Sequence, residues 1–105
     1  MYSIKFLKPA INDITKIINY IYYDLNNSQA ALKWLQEFVK SRKMIMIFPK
    51  SNRFNKKYYK HKVKNYYMFY TIDEKNKTIN VVRVLYRKRN FNNILKWMEE
   101  YIWQI

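Results

Sequence analysis

The sequence contains no cysteine and no glycine, and only one histidine and two prolines occur among its 105 residues. Without cysteine, the chain has neither a disulfide framework nor thiolate chemistry. The glycine-rich phosphate loops of P-loop and dinucleotide-binding proteins are excluded in their usual form. One histidine and seven scattered acidic residues make no convincing metal cage, so the sequence predicts neither a metal nor a small-molecule cofactor.

Long apolar runs are missing as well. The longest, Met44 to Phe48, is much shorter than the roughly 18 residues that a membrane span needs, and the first residues contain no apolar segment of the kind found in a secretory signal. We therefore expect a cytoplasmic protein with no membrane partner. Half of the residues are apolar, which is enough for one two-layer core and predicts a single domain over 1–105.

Positive charge is abundant and unevenly distributed. The net charge is +14, and residues 50–90 hold thirteen Lys and Arg against two acids, whereas residues 1–49 hold seven against three and residues 91–105 hold one against two. A genome rich in A and T would inflate the Lys count everywhere, so the concentration in one segment indicates a use. Such a field attracts polyanions, which means nucleic acid or an acidic protein.

The basic segment Lys60 to Asn90 reads as two long strands. The first is predicted over Lys62–Ile72 and the second over Thr78–Arg87, because both alternate and are rich in aromatic and β-branched residues. The polar stretch Asp73–Lys77 between them predicts a turn. In this turn, Asn76 is the best candidate for a left-handed backbone, since no glycine is present.

Alternation assigns side chains to opposite faces of each predicted strand. The faces of the first strand are Tyr66, Met68, Tyr70 and Tyr67, Phe69, Thr71, and those of the second are Val82, Val84, Tyr86 and Val81, Arg83, Leu85, Arg87. Both faces of the first strand are apolar or amphipathic, which is typical of a central strand packed against helices on one side.

Two helices are predicted before this segment. A short strand at Tyr2–Leu7 precedes a helix that begins at Pro9 and continues to near Asn27. Asn27 or Ser28 is expected to cap a second helix, which Pro49 closes. The predicted core stripes are Ile14, Ile17, Ile18, Ile21 and Leu25 in the first helix and Ala31, Leu35, Phe38, Arg42 and Ile45 in the second. The short loop between the helices predicts an antiparallel hairpin.

A last helix is predicted over residues 91–105, with Asn90 as its N-cap. The order of the elements predicts an α+β fold: a short N-terminal strand, an antiparallel two-helix hairpin, antiparallel strands that form one sheet packed on the helices, and a C-terminal helical extension. The helices would then cover one face of the sheet. A basic, tyrosine-lined concavity would lie on the opposite face.

A series of short sequence elements follows one order from Tyr2 to Leu95. They are the opening strand with Pro9-Ala10 and Asp13-Ile14, Tyr20-Ile21, Asn27 with Ala30-Ala31, Ile47-Phe48-Pro49, Lys64-Asn65-Tyr66, Phe69-Tyr70, Arg83-Val84-Leu85 and the basic cluster Arg87-Lys88-Arg89. In this order and spacing they resemble the RelE/ParE superfamily, the toxins of type II toxin-antitoxin pairs. The long helical hairpin is more similar to the ParE-like branch than to the compact RelE branch.

The resemblance implies a cytoplasmic toxin that a cognate acidic, partly disordered antitoxin neutralises by wrapping the helices and the basic face. Members of the family either cut ribosome-bound mRNA or poison DNA gyrase. This chain departs from the family pattern: Tyr59 or Tyr67 stands where many members have Arg, Tyr86 stands where ParE-like chains commonly have His, and the last helix runs past the usual end. The resemblance also places the functional arginine of the family near Arg87.

The candidate catalytic residues are Arg87, Lys60, Lys62, His61 and Tyr86. Metal-free cleavage of RNA needs a base for the 2′-hydroxyl, cations for the charged phosphorane and a proton donor for the leaving 5′-oxygen. Antiparallel pairing would bring these residues together. Arg87 is the expected phosphate clamp, because a guanidinium binds two phosphate oxygens at once. Lys60 or Lys62 would add positive charge, and one of them is a candidate base.

The candidate nucleic-acid-binding residues are Lys64, Tyr66, Tyr70, Arg83, Lys88 and Arg89. Cationic side chains would neutralise phosphates, and tyrosine rings could stack on bases without regard to sequence. Both kinds of site have a structural alternative. A lone histidine such as His61 in a Lys-rich strand is more often a solvated surface residue, and the tyrosine rings are also explained by core and sheet packing.

The sequence is therefore consistent with three functions. The first is an endoribonuclease toxin that cleaves ribosome-bound mRNA through Arg87 and its neighbours. The second is a ParE-like inhibitor of DNA gyrase, which the long helical hairpin and the incomplete set of cleavage residues favour. The third is a degenerate, non-toxic member of the family that only binds nucleic acid.

Overall fold

The computed structural model describes the backbone of residues 1–104 and the side chains of residues 1–99. The elements follow in this order: β1 (Ser3–Phe6), α1 (Lys8–Asn19), a π-helical turn (Tyr20–Asp24), α2 (Ser28–Ile47), β2 (Tyr59–Val63), β3 (Tyr66–Asp73), β4 (Thr78–Tyr86) and α3 (Phe91–Gln104). The expected α+β fold is confirmed. Ile105, the last residue of the predicted C-terminal helix, lies outside the described residues.

The strands form one sheet in the order β1-β4-β3-β2. β2, β3 and β4 pair antiparallel, as expected, whereas β1 runs parallel to β4, with Ser3 beside Thr78 and Phe6 beside Val81. The sheet is therefore mixed. Both helices of the hairpin separate β1 from the other strands in sequence, so no tight turn dictates its direction.

The predicted continuous strand Lys62–Ile72 is wrong, because the chain turns within it. β2 and β3 are joined by the two-residue turn Lys64-Asn65, with Val63 beside Tyr66. Lys64 has a φ of 55°, and a positive φ at the first turn residue alone is the pattern of a type II′ turn. Glycine is the usual residue at this position, so its absence hides the turn from sequence patterns.

The turn between β3 and β4 lies where the sequence predicts it, but its left-handed residue is Lys77, with a φ of 49°, and not Asn76. Asn76 instead bonds to Asp73: its backbone N–H and its side-chain amide donate to the two carboxylate oxygens at 3.2 and 2.8 Å. Through these bonds the Asp73 side chain organises the backbone of the turn. The residue with the positive φ is therefore Lys77, which follows Asn76.

A β-bulge changes the faces of β4. Phe69 and Tyr70 of β3 pair with Arg83 and Val81, so Val82 is an extra residue on β4. The face toward α1 and α2 carries Val81 and Val84, and the opposite face carries Val82 and Leu85. The predicted alternation, which grouped Val82 with Val84, is wrong for this reason.

Helices cover both faces of the sheet. On the face that we call the hairpin face, α1 and α2 bury a core that includes Ile17, Trp34 and Ile45. On the opposite face, which we call the α3 face, α3 packs Leu95 and Met98 against the sheet. The expectation of an uncovered, tyrosine-lined opposite face is therefore wrong, because the apolar stripe of α3 is buried there.

The ends of α2 and α3 follow the sequence signals. The Asn27 side chain accepts the Ala30 N–H at 3.0 Å at the start of α2, and the Asn90 side chain accepts the Asn93 N–H at 3.3 Å at the start of α3. α2 ends two residues before Pro49. Among the described residues, no helix has the length and apolar character needed to cross a membrane.

The core stripes differ from the prediction at two positions. The π-helical turn shifts the stripe at the end of the first helix, which leaves Leu25 54% exposed. In α2, Trp34 is buried and stacks on Phe38 at 5.5 Å between ring centroids, whereas Leu35 is only half-buried. Trp34 therefore takes the central core position that the spacing predicts for Leu35.

Candidate functional site

Lys60 and Lys62 belong to the α3 face of β2. The Lys60 ammonium lies 4.5 Å from the centroid of the Tyr67 ring and 5.2 and 5.9 Å from the rings of Phe54 and Phe91. These cation–π contacts hold Lys60 beside the first turn of α3. Lys62 lies on the same side by strand alternation, is exposed, and pairs with Tyr67 in the sheet.

Arg87 lies at the same end of the sheet as Lys62. Its backbone N–H donates to the Asn65 carbonyl of the β2–β3 turn at 2.8 Å. Lys62 pairs with Tyr67, which pairs with Leu85, so Lys62 and Leu85 are separated by two strand spacings, about 10 Å. Arg87 follows two residues later and is exposed, and no carboxylate of residues 1–99 forms an ion pair with it. Lys62 and Arg87 are thus two exposed cations at the same end of the sheet.

His61 lies on the hairpin face, away from the lysines on either side of it. Its neighbours Tyr59 and Val63 belong to the core beneath the helical hairpin, and the Ser41 hydroxyl of α2 donates to the Lys62 carbonyl at 3.3 Å. Burial lowers the pKa of His61 below its ordinary value of 6.5, so the ring is neutral at pH 7. His61 is thus half-buried, neither a solvated residue nor a partner of the two lysines.

Tyr86 also lies on the hairpin face. Its ring is 5.5 Å from that of Tyr66, which packs against the core beneath the hairpin. Tyr86 is 37% exposed. The sheet therefore separates both His61 and Tyr86 from Lys60 and Lys62, so the five candidate catalytic residues do not form one cluster.

Arg83 forms an ion pair with α1. Its Nε and Nη2 atoms donate to the Asp13 carboxylate at 2.6 and 2.9 Å, and the same carboxylate accepts the Val84 N–H at 2.9 Å. The two side chains are only 21% and 13% exposed. β1 ends at Phe6, so this part of β4 has no strand beside it, and Asp13 supplies the missing acceptor. The predicted nucleic-acid contact of Arg83 is corrected to a structural role, the docking of α1 on β4.

Tyr70 is a core residue, and its predicted role in base stacking is wrong. Its side chain is 1% exposed, and its hydroxyl donates to the Pro49 carbonyl at 2.7 Å. Burial raises the pKa of Tyr70 to about 12. Tyr70 therefore ties the end of α2 to the sheet, as the packing alternative for the tyrosines predicts.

A cavity of about 560 Å³ opens at the end of the sheet, between the π-helical turn, the start of α2 and the β2–β3 turn. We call it the sheet-end cavity. Its lining residues are Tyr20, Ile21, Leu25, Ala30, Lys33, Trp34, Lys64, Asn65, Tyr66 and Tyr86. A smaller hollow of about 220 Å³ shares Tyr20, Tyr66 and Tyr86 with it and is also lined by Lys16 and Arg89. Four of the predicted residues, Lys64, Tyr66, Tyr86 and Arg89, therefore meet around one aromatic surface.

A further hollow, of about 620 Å³, lies at the other end of β3 and contains none of the predicted site residues. Lys50, Arg53 and Glu74 are among its lining residues. Glu74 accepts bonds from Lys50 and Lys77 at 2.9 and 3.2 Å and from the Tyr2 hydroxyl at 3.0 Å, and these partners lower the pKa of Glu74 to about 2. Lys50 and Glu74 of this hollow thus bind each other, and Glu74 also holds Tyr2 near the N-terminus to the β3–β4 turn.

Sequence reasoning missed several residues that the fold brings to these sites. They are Tyr67 as the ring beneath Lys60, Asp13 as the partner of Arg83, and Tyr20, Lys33 and Trp34 in the sheet-end cavity. Asp13 carries a usable signal, because it is the lone acid of α1 and stands beside the apolar stripe. The others carry none, since their neighbours are distant in sequence. Lys88 lies in the exposed turn after β4.

Solved structures with this fold include toxin-antitoxin complexes. A chain of the chromosomal ParDE TA system from P. aeruginosa matches with a TM-score of 0.67 and 18% identity, over 82% of this chain and 96% of that one. The archaeal RelE-RelB complex from Pyrococcus horikoshii OT3 gives 0.58 and 16%, over 84% and 97%. The intact E. coli RelBE complex gives 0.57 and 17%, over 85% and 100%. At such identities the likeness shows the fold alone.

A family model covers most of the chain, although no significant match occurs among curated protein sequences. The model describes the ParE toxin of the type II toxin-antitoxin system parDE, and it matches residues 4–91. This range extends from β1 to the first residue of α3 and contains the ion pair of Asp13 with Arg83 as well as the cations of β2 and β4. The chain therefore belongs to the ParE toxin family of type II toxin-antitoxin systems, within the RelE/ParE superfamily that its sequence resembles.

Proposed function

We propose that this toxin acts in the cytoplasm by cleaving ribosome-bound mRNA. One observation carries the proposal: Lys62 and Arg87 lie at the same end of the sheet, and Lys60 is held by aromatic rings on the same face of β2 as Lys62. Three cations in this arrangement match the charge that develops on phosphorus when a 2′-hydroxyl attacks the adjacent phosphate.

Each cation has a distinct part in the proposed reaction. Arg87 binds two phosphate oxygens with its planar guanidinium and stays charged throughout. Lys60 is already ordered by aromatic rings, so little further ordering is needed when RNA binds. Attack of the 2′-oxygen forms a 2′,3′-cyclic phosphate, the 2′-proton passes to a base, and the leaving 5′-oxygen takes up a proton. Lys62 and Tyr67, which pair with each other in the sheet, are the candidates for this proton exchange.

The proposal is tested by inducing the chain in cells and by adding it to a reconstituted translation reaction. Arg87→Gln is expected to slow mRNA cleavage by about a hundredfold, the usual cost of removing one preorganised donor from a charged transition state. Lys75→Gln is the matched control, because it removes one charge from an exposed turn at the other end of β3. Full cleavage by Arg87→Gln removes the proposed site.

Inhibition of DNA gyrase is the second candidate. The observation that favours it is the separation of His61 and Tyr86 from Lys60 and Lys62, which leaves the α3 face without histidine for proton transfer. The same induction distinguishes the two functions. Double-strand DNA breaks with intact mRNA support gyrase as the target, and new mRNA 5′ ends with intact DNA support cleavage. Normal growth on induction of the wild-type chain contradicts both and supports a degenerate member that only binds nucleic acid.

We further propose an acidic antitoxin as the partner of this chain. The net charge of +14 is concentrated in residues 50–90 and suits a chain of opposite charge, and the similar structures are, by their names, complexes of a toxin with an antitoxin. The product of the adjacent gene is expected to co-purify with this chain and to restore growth. A neighbouring protein that is not acidic, or that leaves the growth arrest unchanged, contradicts this assignment.

A further inference from the structure

We propose that the sheet-end cavity binds a nucleotide of the RNA next to the cleaved bond, with the base against its tyrosine rings and a phosphate between Lys33 and Lys64. This inference rests on the proposed function, because it needs single-stranded RNA at Lys62 and Arg87. It assigns a role to Tyr20 and Lys33, for which neither the sequence pattern nor the cleavage chemistry accounts.

The cavity and the candidate cleavage site share the same end of the sheet, on its two sides. Arg87 donates its backbone N–H to the carbonyl of Asn65, which lines the cavity, and Tyr86 immediately precedes Arg87. Lys64 follows Lys62 by two residues and is the first residue of the β2–β3 turn. An RNA strand that leaves Lys62 and Arg87 around this end of the sheet therefore meets Lys64 and the cavity next.

The aromatic lining suits a nucleobase. Tyr20 and Tyr86 are 49% and 37% exposed, so their rings are accessible. Tyr66 lies between Trp34 and Tyr86, with edge-on contacts at 5.9 and 5.5 Å, which fixes the position of the accessible rings. Aromatic side chains beside cations are the usual platform for single strands, because every base has a π-face.

The electrostatic field of the cavity is positive. Lys33 of α2 and Lys64 of the β2–β3 turn line it, and Arg89 lines the adjoining hollow. Asp13, the acidic residue of that hollow, is already paired with Arg83. The uncompensated charge around the rings attracts a phosphate.

Two local features also indicate a ligand. Lys64 holds a φ of 55°, a strained conformation for a residue with a Cβ atom, and such strain clusters at binding sites. Trp34 lines the cavity, and its buried Nε1–H has no hydrogen-bond partner among the described residues. Buried donors are nearly always paired. The Trp34 indole is therefore an unpaired donor in a residue that lines the cavity.

An acidic peptide would meet the same cations, but two observations favour RNA. The cavity lies at the same end of the sheet as the proposed phosphate-binding residues Lys62 and Arg87, and three tyrosine rings line it with the amide of Asn65 beside them. This combination stacks on a base and can hydrogen-bond to its edge. A peptide would use the cations and leave this arrangement unexplained.

The test is binding of a short, fluorescein-labelled 2′-O-methyl RNA to the full chain, followed by fluorescence anisotropy. This RNA cannot be cleaved, because its 2′-oxygens are blocked. Tyr20→Ala and Lys33→Gln are each expected to weaken binding about tenfold. The controls are Tyr23→Ala and Lys43→Gln, which change exposed residues of the same π-helical turn and the same helix outside the cavity. They are expected to bind within about twofold of the wild type.

The cleavage rate in a reconstituted translation reaction is measured for the same variants, because the ribosome can be required for RNA to bind. In that case the rate is expected to fall about tenfold for Tyr20→Ala and Lys33→Gln only. The wild-type chain can bind or cleave RNA while Tyr20→Ala and Lys33→Gln match their controls in both RNA affinity and cleavage rate. That result overturns the cavity assignment and leaves the proposed function standing. A wild-type chain that neither binds nor cleaves RNA overturns both.

The occupant is tested separately with a peptide rich in aspartate and glutamate. If Tyr20→Ala and Lys33→Gln lose affinity for this peptide but not for RNA, the cavity is a protein-docking site and the nucleotide assignment is wrong. In the wild-type chain, the Trp34 indole N–H resonance, assigned with Trp34→Phe, is expected to shift when the 2′-O-methyl RNA is added. An unchanged resonance at saturating RNA contradicts binding in the cavity, because Trp34 is one of its lining residues.

Discussion

The two faces of the sheet differ in burial and charge: the hairpin face is a buried core, and the α3 face carries the accessible lysines of β2. On the hairpin face, α1 and α2 enclose a core in which Tyr70 is buried and His61 is neutral. On the α3 face, one helix covers part of the sheet, Lys60 rests on aromatic rings and Lys62 is exposed. Residues that are adjacent in β2 thus have opposite surroundings, which teaches that a run of basic residues on a strand is not one site.

Two arginines of the same segment show the difference most clearly. Arg83 is bound by the Asp13 carboxylate and 21% exposed, whereas Arg87 is exposed and follows the strand. A guanidinium that already donates to a carboxylate has no free fork for a phosphate. Arg83 therefore serves the fold, and Arg87 is available for a ligand.

The largest effect is expected when the ion pair of the hairpin side is broken. Asp13→Ala leaves Arg83 partly buried without a partner and deprives the Val84 N–H of its acceptor. The free energy of unfolding is expected to fall by about 3 to 5 kcal/mol in urea denaturation. Asp24→Ala, at an exposed position, and Arg87→Ala are expected to stay within about 0.5 kcal/mol of the wild type. A loss for Arg87→Ala as large as that for Asp13→Ala would abolish the distinction between the two arginines.

The second-largest effect is expected when one core residue on each face of the sheet is truncated, which compares the stability of the two cores. Ile45→Ala on the hairpin face and Leu95→Ala on the α3 face are each expected to cost about 2 to 4 kcal/mol, because both side chains are buried. Ile45→Ala should lower hydrogen-exchange protection throughout the sheet. Leu95→Ala should expose the amides of α3 while β3 and β4 keep their protection, since a single helix can detach alone. Equal loss of protection in α3 and β3 would show that the two cores unfold as one unit.

A smaller effect of opposite sign is expected at the β2–β3 turn. Lys64→Asn replaces a residue strained by its φ of 55° with one that tolerates this conformation. The free energy of unfolding is expected to rise by about 1 kcal/mol, seen as a higher Tm, while the positive charge at the sheet-end cavity is lost. Lys75→Asn is the control, because it lies in the other turn without a positive φ. A lower Tm for Lys64→Asn contradicts the strain.

The smallest effect is a dependence of stability on pH that comes from the hairpin face. Burial lowers the pKa of His61, so the unfolded chain binds its proton more readily. The contribution of His61 to the free energy of unfolding is therefore fully present above about pH 6.5, the ordinary pKa of histidine. It is lost as the pH drops through the lowered pKa of His61 in the folded chain. Glu74, with a pKa of about 2, contributes only at more acidic pH. Urea denaturation between about pH 5 and pH 7 should show this slope in the wild type but not in His61→Gln. A slope of the opposite sign contradicts the burial of His61.

The helical hairpin and the caps were accessible to sequence reasoning because their signals are local, whereas the strand order and the parallel direction of β1 were not. Asn27 and Asn90 cap helices through bonds to residues three positions later, and the apolar stripe of α1 follows from spacing alone. The candidate site was only partly accessible. Lys62 and Arg87 lie at the same end of the sheet, two strand spacings apart. Arg83 is instead bound by Asp13, and Tyr70 by the Pro49 carbonyl, and no local pattern encodes the proximity of these partners.

By itself, the sequence determined the class of fold, the family resemblance and the concentration of positive charge in residues 50–90, because composition, periodicity and spacing are properties of the chain. The tertiary structure decided which cations are available. One positive φ at Lys64 and one extra residue at Val82 set the faces of the strands, and packing of α3 determined which face is covered. These outcomes depend on contacts between residues far apart in sequence, where a shift of one position moves a side chain to the other side of the sheet.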